Sequence, residues 1–160
     1  MVSDMVFQRN YHPSDGPRRT ILLVEDEPFV REATCSILEH AGFEVLLAEN
    51  APQAIQIYEE RSNTNSKQKQ KQKIKKIDLV MTDMILPGET GEQLGQNLRQ
   101  HSPEVVVLIT SGYCDAEFDA EVPNSRTYFL AKPYSRRSLL DKIEKILASV
   151  KPAWPASQAG

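Results

Sequence analysis

The stretch Ile21-Leu22-Leu23-Val24-Glu25-Asp26-Glu27-Pro28 decides the fold of this chain. Its apolar half is typical of a buried strand, and it ends in three carboxylates and a proline that the first turn of a helix tolerates. Two other apolar runs end in the same way: Ile77 to Met81 leads into Thr82-Asp83, and Tyr128 to Ala131 leads into Lys132-Pro133. Because ligands bind at the carboxyl ends of strands in an open parallel sheet, we expect these charged residues to converge.

Short apolar runs alternate along the chain with longer amphipathic segments, which is the pattern of repeated strand–helix units. The predicted strands are 20–25, 44–48, 77–82, 105–110 and 127–131, with helices between them and after the last. Five strands and five helices in this order predict an α/β fold with a doubly wound, five-stranded parallel sheet.

Three of the predicted helices carry clear signals. Pro28 and Gly42 bound the first, whose apolar face should comprise Val30, Ala33, Ile37, Leu38 and Ala41. Asn50 is suited to cap the second, with Pro52 in its first turn. The last has a strict i, i+3, i+4, i+7 pattern formed by Leu139, Leu140, Ile143, Ile146, Leu147 and Val150.

The folded domain should span residues 19–150. Residues 1–18 read as a flexible polar tail and residues 151–160 as a C-terminal tail. Within the domain, residues 62–76 form an insertion that contains Lys67-Gln-Lys-Gln-Lys-Gln-Lys. Such a polar run cannot bury enough apolar surface to order itself, so we expect a solvated loop.

Composition narrows the class of protein. The 160 residues are 40% hydrophobic and 26% charged, as expected for one globular domain, and the net charge of -3 makes nucleic-acid binding an unfavoured function. Cys35 and Cys114 have no metal-site or disulfide spacing, which favours reduced thiols and a cytoplasmic location. No apolar stretch approaches the roughly 20 residues of a membrane span, and residues 1–19 have no signal-peptide core.

Four motifs follow one another along the chain. The first is Leu22 to Pro28, and the second is Asp78-Leu-Val-Met-Thr-Asp83, followed by Pro87-Gly88 and Gly91. The third is Thr110-Ser-Gly-Tyr113 and the fourth is Lys132-Pro133-Tyr134. In this order and at these strand ends, the chain resembles the receiver domain of two-component response regulators, over roughly residues 19–150. The resemblance implies a flavodoxin-like sheet, like that of chemotaxis regulators, with strand order 2-1-3-4-5.

The resemblance also implies roles for individual residues. Asp83 would be the phosphoacceptor, a carboxylate nucleophile that forms an acyl phosphate. Mg²⁺ or Mn²⁺ would be held by Glu25, Asp26, Asp83 and the backbone carbonyl of Ile85. Lys132 would pair with Asp83 and then with a phosphoryl oxygen, and the Lys132–Pro133 peptide should be cis.

The hydroxyl that senses the phosphoryl group has two candidates. Ser111, followed by Gly112, fits the family pattern, and so does Thr110, followed by Ser111; the Ser-Gly-Tyr sequence favours Ser111. Phe129, three residues before Lys132, matches the aromatic switch position.

The implied partners are a sensor histidine kinase or histidine phosphotransfer protein, an unknown downstream protein, and a second copy of the chain after phosphorylation. Neither a membrane nor nucleic acid is expected as a partner. A stand-alone domain and a receiver excised from a larger chain both remain open.

The chain departs from the family pattern at two informative places. Glu25 replaces the commoner Asp and reaches one methylene further, and Pro123-Asn-Ser125 replaces the usual Gly-Ala pair before the fifth strand.

Two other functions remain as alternatives. One is a receiver-like interaction module that is not phosphorylated. The other, a magnesium-dependent phosphohydrolase, is disfavoured because such enzymes carry the nucleophile after the first strand, with a second Asp two residues on, where this chain has Ile85. Nucleotide binding has no support, since neither GxGxxG nor GxxxxGK occurs.

Overall fold

A computed structural model of the chain describes residues 18–62, 76–112 and 126–150. In chain order its elements are β1 (Thr20–Val24), α1 (Pro28–His40), β2 (Glu44–Ala48), α2 (Ala51–Ser62), β3 (Leu79–Asp83), β4 (Ile85–Leu86), β5 (Glu89–Thr90), α3 (Gly91–His101), β6 (Val107–Ser111), β7 (Thr127–Ala131) and α4 (Arg136–Ser149). No helix among these is long and apolar enough to cross a membrane.

The five longer strands form one parallel sheet in the order β2-β1-β3-β6-β7. With the strands of the small β4–β5 hairpin left out of the count, this is the predicted order 2-1-3-4-5, and the predicted α/β class is confirmed. Since β1 lies between β2 and β3, the order in which strands are added across the sheet reverses at β1. The carboxyl ends of β1 and β3 are therefore neighbours at the point where ligands bind in such sheets.

The sheet is buried on both faces, as a parallel sheet requires. On one face the α2/α3 cluster includes Leu22, Val80, Ile109 and Leu94. On the other, the α1/α4 cluster includes Leu23, Met81, Leu108 and Ile143. Alternate residues of each central strand enter opposite clusters, which explains why these strands read as continuous apolar runs.

The predicted strand ends were wrong by one or two residues. The third strand covers 79–83 instead of 77–82, the fourth covers 107–111 instead of 105–110, and the first ends at Val24. Ile77, Val105 and Val106 are buried although they precede their strands, so each apolar run begins before its strand does. As a result Asp83 and Ser111 are the last residues of paired strands and not the first residues of loops.

The apolar face predicted for α1 was also partly wrong. The buried residues of this helix are Thr34 and Leu38, whereas Val30 is 40% exposed and Ala33 is exposed. The capping predictions are confirmed: Pro28 is the first residue of α1, and Asn50 Oδ1 accepts the Gln53 backbone N–H at 2.9 Å. In α4 the predicted face is buried through Leu139, Ile143, Ile146 and Leu147.

Several predictions fall on residues that lie outside the described ranges. They are almost all of the tail at 1–18 and of the insertion at 62–76, the whole tail at 151–160, and the predicted helix between the fourth and fifth strands of the sheet. Four of the five predicted helices can therefore be compared with the structure.

A close approach between α3 and β3 generates a prediction. A Cβ atom on Gly91 would lie 2.5 Å from the backbone oxygen of Asp83, and we expect Gly91→Ala to lower the free energy of unfolding by about 1–3 kcal/mol. Gly95, on the same helix, is the matched control because its Cβ would lie 3.6 Å from Val107 Cγ2, an ordinary contact. Gly95→Ala should instead stabilise the protein by about 0.5–1 kcal/mol through helix propensity. Urea unfolding measures both, and a Gly91→Ala protein as stable as wild type would contradict the prediction.

Candidate functional site

Charged side chains from three strand ends meet at the carboxyl edge of the sheet. Lys132, which directly follows β7, places its Nζ 3.0 Å from Asp83 Oδ2 at the end of β3. Glu25 and Asp26, which follow β1, contribute carboxylate oxygens that lie with one of Asp83 within 4.8 Å of one another. The structure therefore brings these four residues together, as predicted.

The buried member of the carboxylate group is Glu25, with 6% of its surface exposed. Its Oε1 accepts the Glu27 backbone N–H at 3.1 Å. Burial raises the pKa of the Glu25 carboxyl above its usual range; the hydrogen bond from Glu27 opposes this shift, and the nearby charge of Asp83 adds to it. Ionisation of the Glu25 side chain beside two other carboxylates is therefore less favourable in free energy than ionisation of a glutamate in water.

Asp26 is the exposed member of the group. The N-cap of α1 is the neighbouring Glu27, and it makes no side-chain capping hydrogen bond. Capping geometry therefore gives no account of why carboxylates occupy this loop.

The backbone around Asp83 is fixed on both sides. Thr82 Oγ1 donates to the Asp83 carbonyl at 3.1 Å, the oxygen that Gly91 approaches closely. The next backbone N–H, that of Met84, donates to the carbonyl oxygen of Thr110 on β6 at 2.8 Å. The Met84 carbonyl in turn accepts the Gly91 backbone N–H. These contacts fix the backbone directly after Asp83, whose side chain is partly buried at 19% exposed.

The neighbouring β4–β5 hairpin contains Ile85, whose side chain is 63% exposed. Ile85 pairs with Thr90, which caps α3 through a reciprocal capping box with Gln93. The proposed metal-ligand role of the Ile85 carbonyl stays a prediction.

Lys132 is positioned by strand pairing and by the turn that follows. Its backbone N–H donates to the Ser111 carbonyl at 2.7 Å, and the Lys132–Pro133 peptide is cis, as predicted. Ser135 then caps α4 by accepting the Ser138 N–H at 3.0 Å.

The two candidate hydroxyls lie on opposite faces of the sheet. Successive side chains of a strand alternate, so Ser111 shares the face of Ile109 and the α2/α3 cluster, against which Phe129 also packs. Thr110 shares the face of Leu108, and its Oγ1 donates to the Thr82 carbonyl over 3.5 Å. Both hydroxyl residues are buried, but Ser111 and Phe129 share a face.

Asp78, at the opposite end of β3, is separate from this group. Its Oδ2 accepts the Thr20 backbone N–H at 2.7 Å, which joins the starts of β3 and β1. Asp78 therefore links the starts of two strands and does not contribute to the charged group around Asp83.

Sequence reasoning missed Arg31. Its side chain on the first turn of α1 reaches back to the backbone of Glu25 and across to Glu49. An arginine on an amphipathic helix carries no pattern that distinguishes it from a solvated one.

Comparison with known proteins identifies the family. Residues 21–144 match the model of the response regulator receiver domain. The sensor kinase CckA of Brucella abortus is 30% identical over 129 residues, which are 80% of this chain and 12% of that protein. The phosphate regulon transcriptional regulatory protein PhoB of Pseudomonas aeruginosa is 30% identical over 137 residues, which are 84% of this chain and 54% of that protein.

Among solved structures, the receiver domain of the hybrid histidine kinase CckA is 30% identical with a TM-score of 0.62, and the alignment covers 80% of this chain and 98% of that one. The chain thus spans from about a tenth to about half of the two curated relatives and nearly all of this excised domain. Fold, motif order and family match agree: this chain belongs to the response regulator receiver domain family.

Proposed function

We propose that this receiver domain takes a phosphoryl group from a histidine of a sensor histidine kinase or a histidine phosphotransfer protein onto Asp83, in the cytoplasm. The observation that carries the proposal is the 3.0 Å contact between Lys132 Nζ and Asp83 Oδ2, beside the carboxylates of Glu25 and Asp26. The carboxylate that would act as nucleophile, the lysine ammonium group and a set of hard oxygen donors lie together at the partly exposed carboxyl edge of the sheet.

The chemistry follows from the nucleophile. A carboxylate oxygen of Asp83 attacks phosphorus, the bond from phosphorus to the donor imidazole nitrogen breaks, and an acyl phosphate forms. Lys132 is a point charge that can stay with the acceptor carboxylate or move to a phosphoryl oxygen. Phosphoryl transfer asks the protein mainly for positioning and charge stabilisation.

The donor set fits a hard divalent cation. Oxygens of Glu25, Asp26 and Asp83 lie within 4.8 Å of one another, and Mg²⁺ is typically held by a few carboxylates together with retained waters. We propose these residues and the Ile85 carbonyl as ligands for Mg²⁺ or Mn²⁺. When bound, the ion would offset carboxylate repulsion and stabilise charge on the phosphoryl oxygens in transfer.

The complete set of Asp83, Lys132 and the acidic pair supports phosphorylation over a module that only binds partners. Against a phosphohydrolase stands Ile85, whose apolar, 63% exposed side chain cannot position an attacking water. The family itself is one of signalling domains.

We further propose that Ser111 is the hydroxyl that senses the phosphoryl group. Its face of the sheet is that of Phe129, so movement of the Ser111 side chain toward Asp83 would change the space available to the aromatic ring. The change would then bias the partner-binding face, to which a downstream protein or a second copy would bind.

The first functional prediction concerns the acceptor. Incubation with a divalent cation and acetyl phosphate should add one phosphoryl mass to the wild-type chain and none to Asp83→Asn, as read by intact mass spectrometry. Asp141→Asn, which removes an exposed carboxylate on α4, should be modified like wild type. Modification that persists in Asp83→Asn would place the acceptor elsewhere.

The raised pKa of Glu25 predicts a pH-dependent stability. Since folding favours the protonated carboxyl, its contribution is present below the unfolded value of about 4.5 and is lost as pH rises through the higher folded value. Glu25→Gln keeps the neutral form, so at pH 7.5 with EDTA it should be more stable than wild type, and the difference should shrink toward pH 4.5. Glu27→Gln, at an exposed carboxyl, controls for net charge. Equal urea midpoints for wild type and Glu25→Gln at pH 7.5 would refute the prediction.

The switch predicts different roles for the two hydroxyls. With Mg²⁺ and beryllofluoride as a phosphoryl mimic, chemical shifts of Phe129 should change in wild type and in Thr110→Val but not in Ser111→Ala. Resonances beside Asp83 should respond in all three proteins, which shows that the mimic has bound. The opposite result for the two variants would assign the role to Thr110, and a wild-type response that never reaches Phe129 would disprove the switch.

A further inference from the structure

The loop between β1 and α1, which carries the acidic pair, is tied to the end of β2 by Arg31. Arg31 Nη1 donates to the Glu25 carbonyl at 2.8 Å, and Nη2 lies 3.3 Å from Glu49 Oε1. The Arg31 side chain is 16% exposed, whereas that of Glu49 is 64% exposed. A planar guanidinium holds two acceptors at once in a fixed geometry, which an amine cannot do.

The other backbone group of Glu25 is tied in the same direction. Its N–H donates to the Ala48 carbonyl at 3.0 Å, and Ala48 is the last residue of β2. Glu49 follows directly, and its own N–H donates to Gln53 Oε1 at 2.7 Å. Both backbone polar groups of Glu25 are therefore held, and the anchor on the β2 side is itself held by α2.

We propose that Arg31 is a positioning residue for the cation site: through the Glu25 carbonyl it sets where the Glu25 and Asp26 carboxylates stand relative to Asp83. The inference rests on the proposed function, since it concerns the metal that phosphoryl transfer would use. Arg31 touches neither the cation nor the phosphoryl group in this proposal. It acts as partners outside the ligand shell do when they orient the ligands.

The sign of the effect separates positioning from simple electrostatics. Arg31 is a positive charge near a cation site and repels a divalent cation, so on electrostatic grounds alone its removal would strengthen binding of that cation. If its main contribution is to hold the loop, removal should weaken binding, because the carboxylates must then be ordered by the cation itself.

The test measures Mn²⁺ affinity from the electron paramagnetic resonance signal of free Mn²⁺, on the full chain without phosphodonor. Arg31→Ala should raise the dissociation constant on the order of 10-fold. Arg31→Lys keeps the charge without the fork and should fall between Arg31→Ala and wild type. Asp26→Asn, which removes a ligand, shows the size of a direct loss.

Arg61→Ala is the matched control. Arg61 Nη2 lies 3.4 Å from Glu44 Oε1, so this pair also links a helix to β2, but at the starting end of the strand, and its loss should leave Mn²⁺ affinity unchanged. Urea unfolding of each variant verifies that it folds. If Arg31→Ala does not fold, Arg31→Lys decides the question.

The outcomes separate the two proposals. If wild type and Asp26→Asn differ in Mn²⁺ affinity while the folded Arg31 variants equal wild type or bind more tightly, the positioning role is wrong and the proposed function stands. If wild type binds no Mn²⁺, both proposals are wrong. An equal loss of affinity in Arg61→Ala would reduce the Arg31 effect to general loosening and also overturn the inference.

Discussion

The mutual repulsion of three carboxylates is the constraint on which this structure depends. Oxygens of Glu25, Asp26 and Asp83 lie within 4.8 Å of one another, and burial raises the pKa of Glu25, a shift to which the charges of Asp83 and Asp26 add. Lys132 supplies one compensating charge, 3.0 Å from Asp83. Backbone hydrogen bonds hold the carboxylates in place against the remaining repulsion: the Glu25 N–H donates to the Ala48 carbonyl, and the Met84 N–H, directly after Asp83, donates to the Thr110 carbonyl. The sheet thus works as a frame that holds an unfavourable charge distribution at its carboxyl edge.

The arrangement of the core explains how this frame resists the repulsion. Two apolar clusters, one on each face of the sheet, pack the four helices of the described residues against strands whose side chains alternate between the clusters. The charged group lies at the strand ends, outside both clusters, where a strand's last peptide groups are still paired. Strands therefore end where the side chains of the candidate site begin, and side chains on such elements are held more precisely than side chains on loops.

The sequence predicted the class of fold, the strand order and the convergence of Glu25, Asp26, Asp83 and Lys132, because strong apolar runs ending in charges leave few topological solutions. It could not locate strand ends, since Ile77, Val105 and Val106 are buried although they precede their strands. Nor could it separate Thr34 from Ala33 on α1, because a threonine's burial depends on what its helix packs against. The contacts of Arg31 could not be predicted for a similar reason, because its two acceptors come from positions that only the folded chain brings together.

Gly91 carries a consequence for how sequences of this kind can diverge. The clash that a Cβ atom would make is with a backbone oxygen, at 2.5 Å, so it would arise with every other amino acid and with any residue at position 83. Selection for the architecture alone is then sufficient to retain this glycine. A descendant that had lost its acidic pair and its lysine would still be expected to keep it. Among related domains, a glycine at this position therefore indicates that the fold has been retained. Whether the chemistry has been retained is indicated instead by the presence of the carboxylates and of Lys132.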